Sequence, residues 1–459
     1  LRDSIELEWA GRPAVAIVVD ALVGAAENMK RVSRMPDYPY VVTPFPVGSL
    51  NATELAERAR HVANDVLRLL RERPALIARQ SRIETEPFEP IAAAATTPIP
   101  ATANPDALDC GPDACSVTQG MLTSKRIEAG DAFEAMEAFF ERGWTDGLPV
   151  VPPTPARVAA LLDATGLAPD AVIGTVPTRE NMVITAEKLA INAVMAGTLP
   201  EYMPLIATAM RAMTDEKHNF HSHTATLSGA VQVSIVNGPQ RRRLKINSQD
   251  GVFGPGWRAN ATIGRALRLT IRNVARSVHG EFDRSAFSHP GRYSMCFGEN
   301  EEDSPWPTLA EDAGLPRGTD AVTVYASMWQ APIACDSRDP QELLRRIGHG
   351  ARALTEASKN RSEGAETIIN SSFHDIRKFL FVMGQDHLRV LQNIGRLGKA
   401  EVRETIFRRM TEPLGDLPPL PITSPDNVMI ASVRGPAMSW TWYFRPFYSS
   451  APVTLPVIT

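Results

Sequence analysis

Three kinds of residue in this 459-residue sequence could carry chemistry: arginines beside a glycine-rich loop, clustered histidines, and carboxylates that follow a strand. The loop lies within Asn237 to Arg276, where Gly251, Gly254, Pro255 and Gly256 precede a long amphipathic segment opening near Asn260. A strand, a glycine loop and a helix start together make an anion site, because backbone N–H groups and the positive helix end converge on a phosphate or carboxylate. Gly254, Gly256, Arg258, Asn260 and Arg265 are therefore candidate substrate-binding residues, joined by Asn300 and by Asp146 from a Trp-Thr-Asp-Gly loop. Arginine suits the task because its planar fork matches a carboxylate or phosphate. The order Gly-x-x-Gly-x-Gly is not the dinucleotide fingerprint Gly-x-Gly-x-x-Gly. Along the helix, Ile263, Leu267, Ile271 and Val274 form one stripe and Arg265, Arg268, Arg272 and Arg276 the opposite one, which reads as a solvated face.

His218, His221 and His223 form the densest histidine cluster. His-x-His on a strand puts both rings on one face, a spacing metals use. The other readings are substrate contact or general-base work, since histidine titrates near neutrality, or a structural role. His221 and His223 are taken as candidate catalytic residues; no metal ligands are assigned, although a metal at that pair stays open. Glu299 and Asn300 come first after an apolar run at Tyr293–Phe297, and carboxylates at strand ends are where α/β proteins tend to place catalytic groups. His387 falls at a strand-to-helix junction and joins the list. Cys110 and Cys115 are an inert pair, a redox pair or, least in keeping with zinc spacing, metal ligands. Cys296, inside an apolar run, reads as a core thiol.

The elements that must position these groups alternate. Ala14–Val19 reads as a buried parallel strand and Val41–Val42 as a short one, with helices between and after them. Residues 84–107 are rich in Pro, Ala and Thr without apolar period, which predicts an extended tether. Beyond it, helices are expected at 131–142, from Pro155, at 185–196 and at 200–213, and strands at 230–236, 321–326, 378–383 and 428–433. The charged pair Glu187–Lys188 is expected to face solvent, and the aromatic segment Trp440–Tyr448 to pack on the domain or on a partner subunit. The fold class is thus α/β: a small parallel-sheet domain over 1–83, a linker with the cysteine pair over 84–120, and a larger α/β domain over 121–459.

The formal charge of −4 argues against a nucleic-acid partner, whose binder is typically basic. No apolar run reaches membrane-spanning length and no secretory signal is seen, so no membrane partner is expected, and four unevenly placed cysteines make no disulfide framework, so a reducing cytoplasm is the expected location.

The run GRPAVAIVVDALVGAAENMKRV…YPYVVTPFPVGSLN resembles the region that follows the redox motif in UGSC-type proteins, named for selenocysteine-or-cysteine, Gly, Ser, Cys. It is more distantly similar to the selenoprotein subunit of glycine, sarcosine and betaine reductase component B. The phrases GWTDGLPVVPPT, NGP, FGPGWRANATIGRA and GENEEDSPW resemble a region often joined to such proteins. The sequence begins at Leu1, so the resemblance implies a Cys or Sec redox motif upstream, with a low-pKa thiolate or selenolate as nucleophile. The expected function is thiol- or selenol-dependent oxidoreduction or reductive lysis of a polarised C–N, C–S or C–X bond in a small anionic substrate. A thiol reductant protein and a homo-oligomer or partner subunit are the expected partners. The alternatives are a His/Glu- or metal-dependent lyase or hydrolase, and a non-catalytic subunit.

Overall fold

A computed structural model describes the chain apart from residues 10–11, 21–22, 34, 45–51, 72–120, 180, 358–376, 417–418, 421, 436–438, 448 and 459. The expected tether, Cys110, Cys115 and the turn at 45–48 lie outside the described residues. Contacts divide the chain into one unit of Leu1–Ala101 with Asn360–Glu366 and a second of Thr102–Lys359 with Thr367–Thr459.

In the first unit, β1 (Ile17–Val19) and β2 (Val41–Thr43) pair in parallel, Ile17 opposite Val41. Parallel neighbours need a crossover, and the helix Val23–Val32 lies between them in the chain. The helix Ala52–Arg71 follows β2, burying Val62 and Leu69 with Val41. The small parallel sheet is as expected, with strands shorter than the apolar runs.

The second unit carries a hairpin, β3 (Val172–Val176) with β4 (Met182–Thr185), and a seven-stranded mixed sheet. The sheet comprises β5 (Val231–Asn237), β6 (Cys296–Gly298), β7 (Ala321–Ala334), β8 (Phe379–Met383), β9 (Val428–Ser432), β10 (Trp440–Pro446) and β11 (Val453–Pro456). Its order is β6-β5-β7-β10-β8-β9, with β11 beside the first half of β7. The pairs β5–β6 and β8–β9 are parallel, while β5–β7, β7–β10 and β10–β8 are antiparallel.

This order reads the same from either end once β5, β6 and β7 are matched to β8, β9 and β10. Each half repeats one motif: a helix (Met203–Met213 or Pro340–Ala357), a strand, a crossover helix (Arg258–Asn273 or Lys399–Thr411), a parallel strand, then an antiparallel return. The long β7 and β10 join the halves along a pseudo-twofold axis. The aromatic segment is therefore not an appendage: Trp442, Tyr443 and Phe444 lie in β10, between β7 and β8, where alternate side chains enter opposite cores.

The two edge strands approach at their C-terminal ends, where Asn300 N donates to Ser432 O (2.7 Å) and Arg434 N to Ser248 O (3.0 Å). One sheet face buries Val233, Ile235, Phe297, Tyr325, Leu380 and Phe444. On the other face, Ile263, Leu267, Leu205 and Met210 cover one half, and Leu343, Ile347, Val402 and Ile406 the other. β5 is buried throughout, as a strand covered on both faces must be.

The helices covering the second half approach at Gly348, where a Cβ would run into Arg409 Cβ and lie 3.2 Å from the Ile406 carbonyl oxygen. Gly348→Ala is expected to destabilise the protein by about 1–3 kcal/mol through overpacking, read as a lower urea midpoint at unchanged slope.

Candidate functional site

The glycine loop comes first because the sequence points to it. Gly251 (φ 64°) and Gly256 (φ 109°) adopt the left-handed backbone that glycine favours, and Gly254 N closes a turn on Gly251 O at 2.7 Å. This turn carries Phe253 onto the sheet, where its ring meets Phe297, Trp442 and Phe444 at centroid distances of 5.0, 5.6 and 5.6 Å. Arg258 donates to Gly197 O (3.2 and 3.0 Å), and Asn260 is buried with its amide paired to both backbone groups of Asn247. Arg265 holds Asp146 through two bonds of 2.8 Å and also caps Leu148 O and Pro149 O. These side chains fasten the loop and the Trp-Thr-Asp-Gly corner to the helix Arg258–Asn273. An anion arriving there would compete with partners already in place.

The arginine row departs from the solvated face expected of it. Arg268 is buried; its Nε donates to Arg292 O (3.1 Å) and its Nη1 to Gln232 Oε1. Glu187 is likewise buried rather than solvent-facing, accepting from Ser124 N (2.8 Å) and from Thr123 N and Oγ1 (3.2 and 2.9 Å).

The histidine segment is helical, not a strand, which separates the two rings. Asp215 caps a turn at Glu216–His218, Asn219 takes φ 52°, and a short helix spans Phe220–Thr224. At 3.6 residues per turn, His221 and His223 point to opposite sides. His221 Nδ1 accepts from Arg179 Nε (3.2 Å), while His223 turns inward to Gln232 on β5. His218 also turns inward, its ring 4.6 Å from that of His223 and edge-on to it. Gly229 (φ 69°) lets the following segment pass against Ser288, because a Cβ there would lie 2.6 Å from Ser288 Cα. That contact sets the loop 285–288 over Arg292.

The result is a buried polar cluster at the start of β5, on the face covered by Arg258–Asn273. Arg179 is fully buried, bonded to Thr224 Oγ1 (2.5 Å) and Ala275 O, with Phe282 stacked at 4.7 Å. Arg292 pairs with Asp283 (2.5 Å) and donates through the same Nη1 to Ser285 and Ser288 (3.3 and 3.0 Å). Its other edge, Nε with Nη2, is buried and has no hydrogen-bond partner among the described residues; neither has His218 Nε2 or His223 Nε2. Burial pulls Arg268 down to about 9 and Arg179 to about 10, against the attraction of Asp283. It also pulls His218 down to about 4 and His223 well below its ordinary value, His223 being pushed further by His218 and the three arginines. Three guanidiniums thus face one buried carboxylate, Asp283; Asp146, the other carboxylate acting on Arg268, is already held by Arg265.

Glu299 lies elsewhere, at the far end of β5 and on the opposite face. Along β5, Gln232 faces the arginines, whereas Asn237, an odd number of residues on, faces the other side. Asn237 Nδ2 bridges Glu299 (2.8 Å) and Glu301 (3.0 Å), and Leu309 N donates to Glu299 (2.9 Å). Burial raises the Glu299 pKa, with Glu301 adding to it and Lys399, Leu309 N and Asn237 opposing it. Asn300 donates to Asp303 (2.9 Å). His387 is buried in the second half between Thr441 Oγ1 (2.8 Å) and Cys335 O (3.0 Å), both ring nitrogens engaged. Cys296 is buried, its thiol pushed up to about 12, in keeping with a core residue. Among the described residues no group of three or more His, Cys, Asp or Glu side chains is placed to hold a metal ion.

Sequence reasoning therefore reached His221, His223 and Glu299 but missed Arg179, Arg268, Arg292, Asp283 and Gln232. The alternation along β5 hid them: Gln232 and Ser234 occupy the side that a half-buried strand would expose, yet that side is buried too, and a buried amide requires a polar partner.

Residues 1–72, which carry the two parallel strands β1 and β2, match the model of the UGSC family. No curated protein and no solved structure matches the chain, so the likeness to reductase component B finds no counterpart there. No helix among the described residues is long and apolar enough to cross a membrane.

Histidines held neutral by burial impose a pH dependence on stability. The His218 pKa is lower folded than unfolded, so its contribution is fully present above about 6.5 and is lost as pH falls towards about 4. His218→Gln is expected to flatten acid destabilisation across that window by up to about 1.4 kcal/mol per pH unit, measured by urea melts at stepped pH.

Proposed function

We propose that this protein is an enzyme that binds a small anionic substrate through the Arg292–His223 cluster and belongs to the thiol- or selenol-dependent oxidoreductases or reductive lyases. The UGSC match supports the class. The observation that carries the anion is the excess of buried positive charge beside an unoccupied guanidinium edge. An unpaired buried charge costs several kcal/mol, and a carboxylate or phosphate would restore the balance. In this reading a polarised C–N, C–S or C–X bond takes up two electrons and two protons, giving R–H and H–X, while two thiols become a disulfide. A thiol reductant protein then returns the two electrons.

Arg292→Met should weaken productive binding at least ten-fold, whereas Arg276→Met, at an exposed arginine, should leave it unchanged. Equal affinity in both variants, read from the concentration dependence of substrate turnover, would refute the anion assignment.

Glu299 favours a second reading, a His/Glu-dependent lyase or hydrolase, because a buried carboxyl of raised pKa is suited to carrying a proton. Glu299→Gln should then abolish turnover while activity in wild type survives thiol alkylation. Loss of activity on alkylation, with Glu299→Gln still active, supports the first reading instead.

A further inference from the structure

The unpaired atoms of the cluster differ in hydrogen-bonding character, and their neighbours fix that character. Ala451 O, an acceptor only, lies 2.8 Å from His218 Nδ1, so Nδ1 carries the proton and Nε2 presents a bare lone pair. Arg268, a donor only, holds Gln232 Oε1, which turns the amide nitrogen towards His223 Nδ1 at 2.9 Å. His223 Nδ1 therefore accepts, and its Nε2 carries the proton. Arg292 offers Nε–H and Nη2–H along one planar edge, the geometry that grips a carboxylate with two parallel bonds. Asp283 Oδ2 makes no hydrogen bond but is ion-paired to Arg292 Nη1 at 2.5 Å; beyond it the cluster holds three open donors and one open acceptor, all on residues at least nine-tenths buried.

A simple carboxylate uses the donors and leaves His218 Nε2 unsatisfied. A ligand matching the whole set carries a carboxylate and, beside it, an O–H or N–H group to donate to His218. Charge separates these two. An ammonium would enter among three guanidiniums opposed by a single carboxylate, whereas a hydroxyl adds no charge. We infer that the site takes a small hydroxy-carboxylate, its carboxylate on the Nε–Nη2 edge of Arg292 and its hydroxyl donating to His218 Nε2. His223 Nε2–H supplies the third bond to the carboxylate.

This inference rests on the cluster being the anion site, and the test separates the two. Calorimetric titration of the wild-type protein would compare 2-hydroxypropionate, propionate, 2-methoxypropionate, 2-aminopropionate and inorganic phosphate at constant ionic strength. The hydroxy acid should bind about ten- to a hundred-fold more tightly than propionate or the methoxy acid, the span of one buried hydrogen bond. It should also bind more tightly than the amino acid. His218→Phe should erase that preference. In wild type, the 15N resonance of His218 Nε2 should move upfield when the hydroxy acid is added and stay put with propionate, a readout that needs no variant. Propionate binding as tightly as the hydroxy acid would overturn the hydroxyl contact yet leave the anion site standing. Phosphate binding above every carboxylate would overturn the substrate class. Binding of none of the five would overturn the anion site as well.

Discussion

Guanidinium groups stay charged in proteins, so burying Arg179, Arg268 and Arg292 together obliges the fold to supply compensation. The protein provides part of it. Asp283 pairs with Arg292, carbonyl oxygens of Ala275 and Arg292 accept from Arg179 and Arg268, and aromatic faces of Phe220 and Phe282 lie against Arg179. Both inward histidines remain neutral because burial disfavours the charged ring, and at His223 His218 and the three arginines add to that effect. Apart from Asp283 Oδ2, which is ion-paired to Arg292, what is left is directional: one edge of one arginine and one nitrogen on each of two rings. A purely structural network would be expected to close those positions; a binding site leaves them for a ligand.

The surrounding architecture explains how such a cluster is held. The repeated helix–strand–helix–strand–strand motif gives a rigid sheet, yet the two halves are not used alike. In the first half, the loops between the crossover helix and β6 supply Asp283, Ser285, Ser288 and Arg292, and the segment before β5 supplies His218 and His223. In the second half, His387, which follows β8, is clamped between Thr441 and Cys335. The chain's last strands return to the first half, where Ala451 and Ser450 fix the tautomer and seat of His218. A site grafted onto one half of a duplicated scaffold gains precision from strands while drawing its chemistry from loops.

Much of this scaffold was legible in the sequence. The apolar runs at 230–236, 378–383 and 428–433 fell where β5, β8 and β9 form, and Asp131, Thr185 and Gly197 marked helix ends as their chemistry dictates. The duplication was not legible, because it resides in strand order rather than in residue identity. The role of the glycine loop was misleading for a physical reason. A Gly-rich turn before a helix makes an anion site only if its polar side chains are free to receive the ion, and here Arg258, Asn260 and Arg265 are held by Gly197 O, Asn247 and Asp146. Arg268 was assigned to solvent by helical periodicity, which ignores that a polar strand residue such as Gln232 can draw a charged helix residue inward. Arg292 and Asp283 lie in irregular segments where no periodic pattern applies. The histidines were found but the helix that parts His221 from His223 was not, since Asn219 in a left-handed conformation starts a helix that composition alone does not announce.

An anion site in this cluster requires an oxyanion on the open edge of Arg292. Anomalous diffraction from crystals of the intact protein soaked in selenate tests this directly, because selenium marks a small oxyanion unambiguously. A selenium peak within hydrogen-bonding range of Arg292 Nε, Arg292 Nη2 and His223 Nε2 is the predicted result. Selenium confined to the surface, with that edge satisfied by water or by a rearranged side chain, would contradict it.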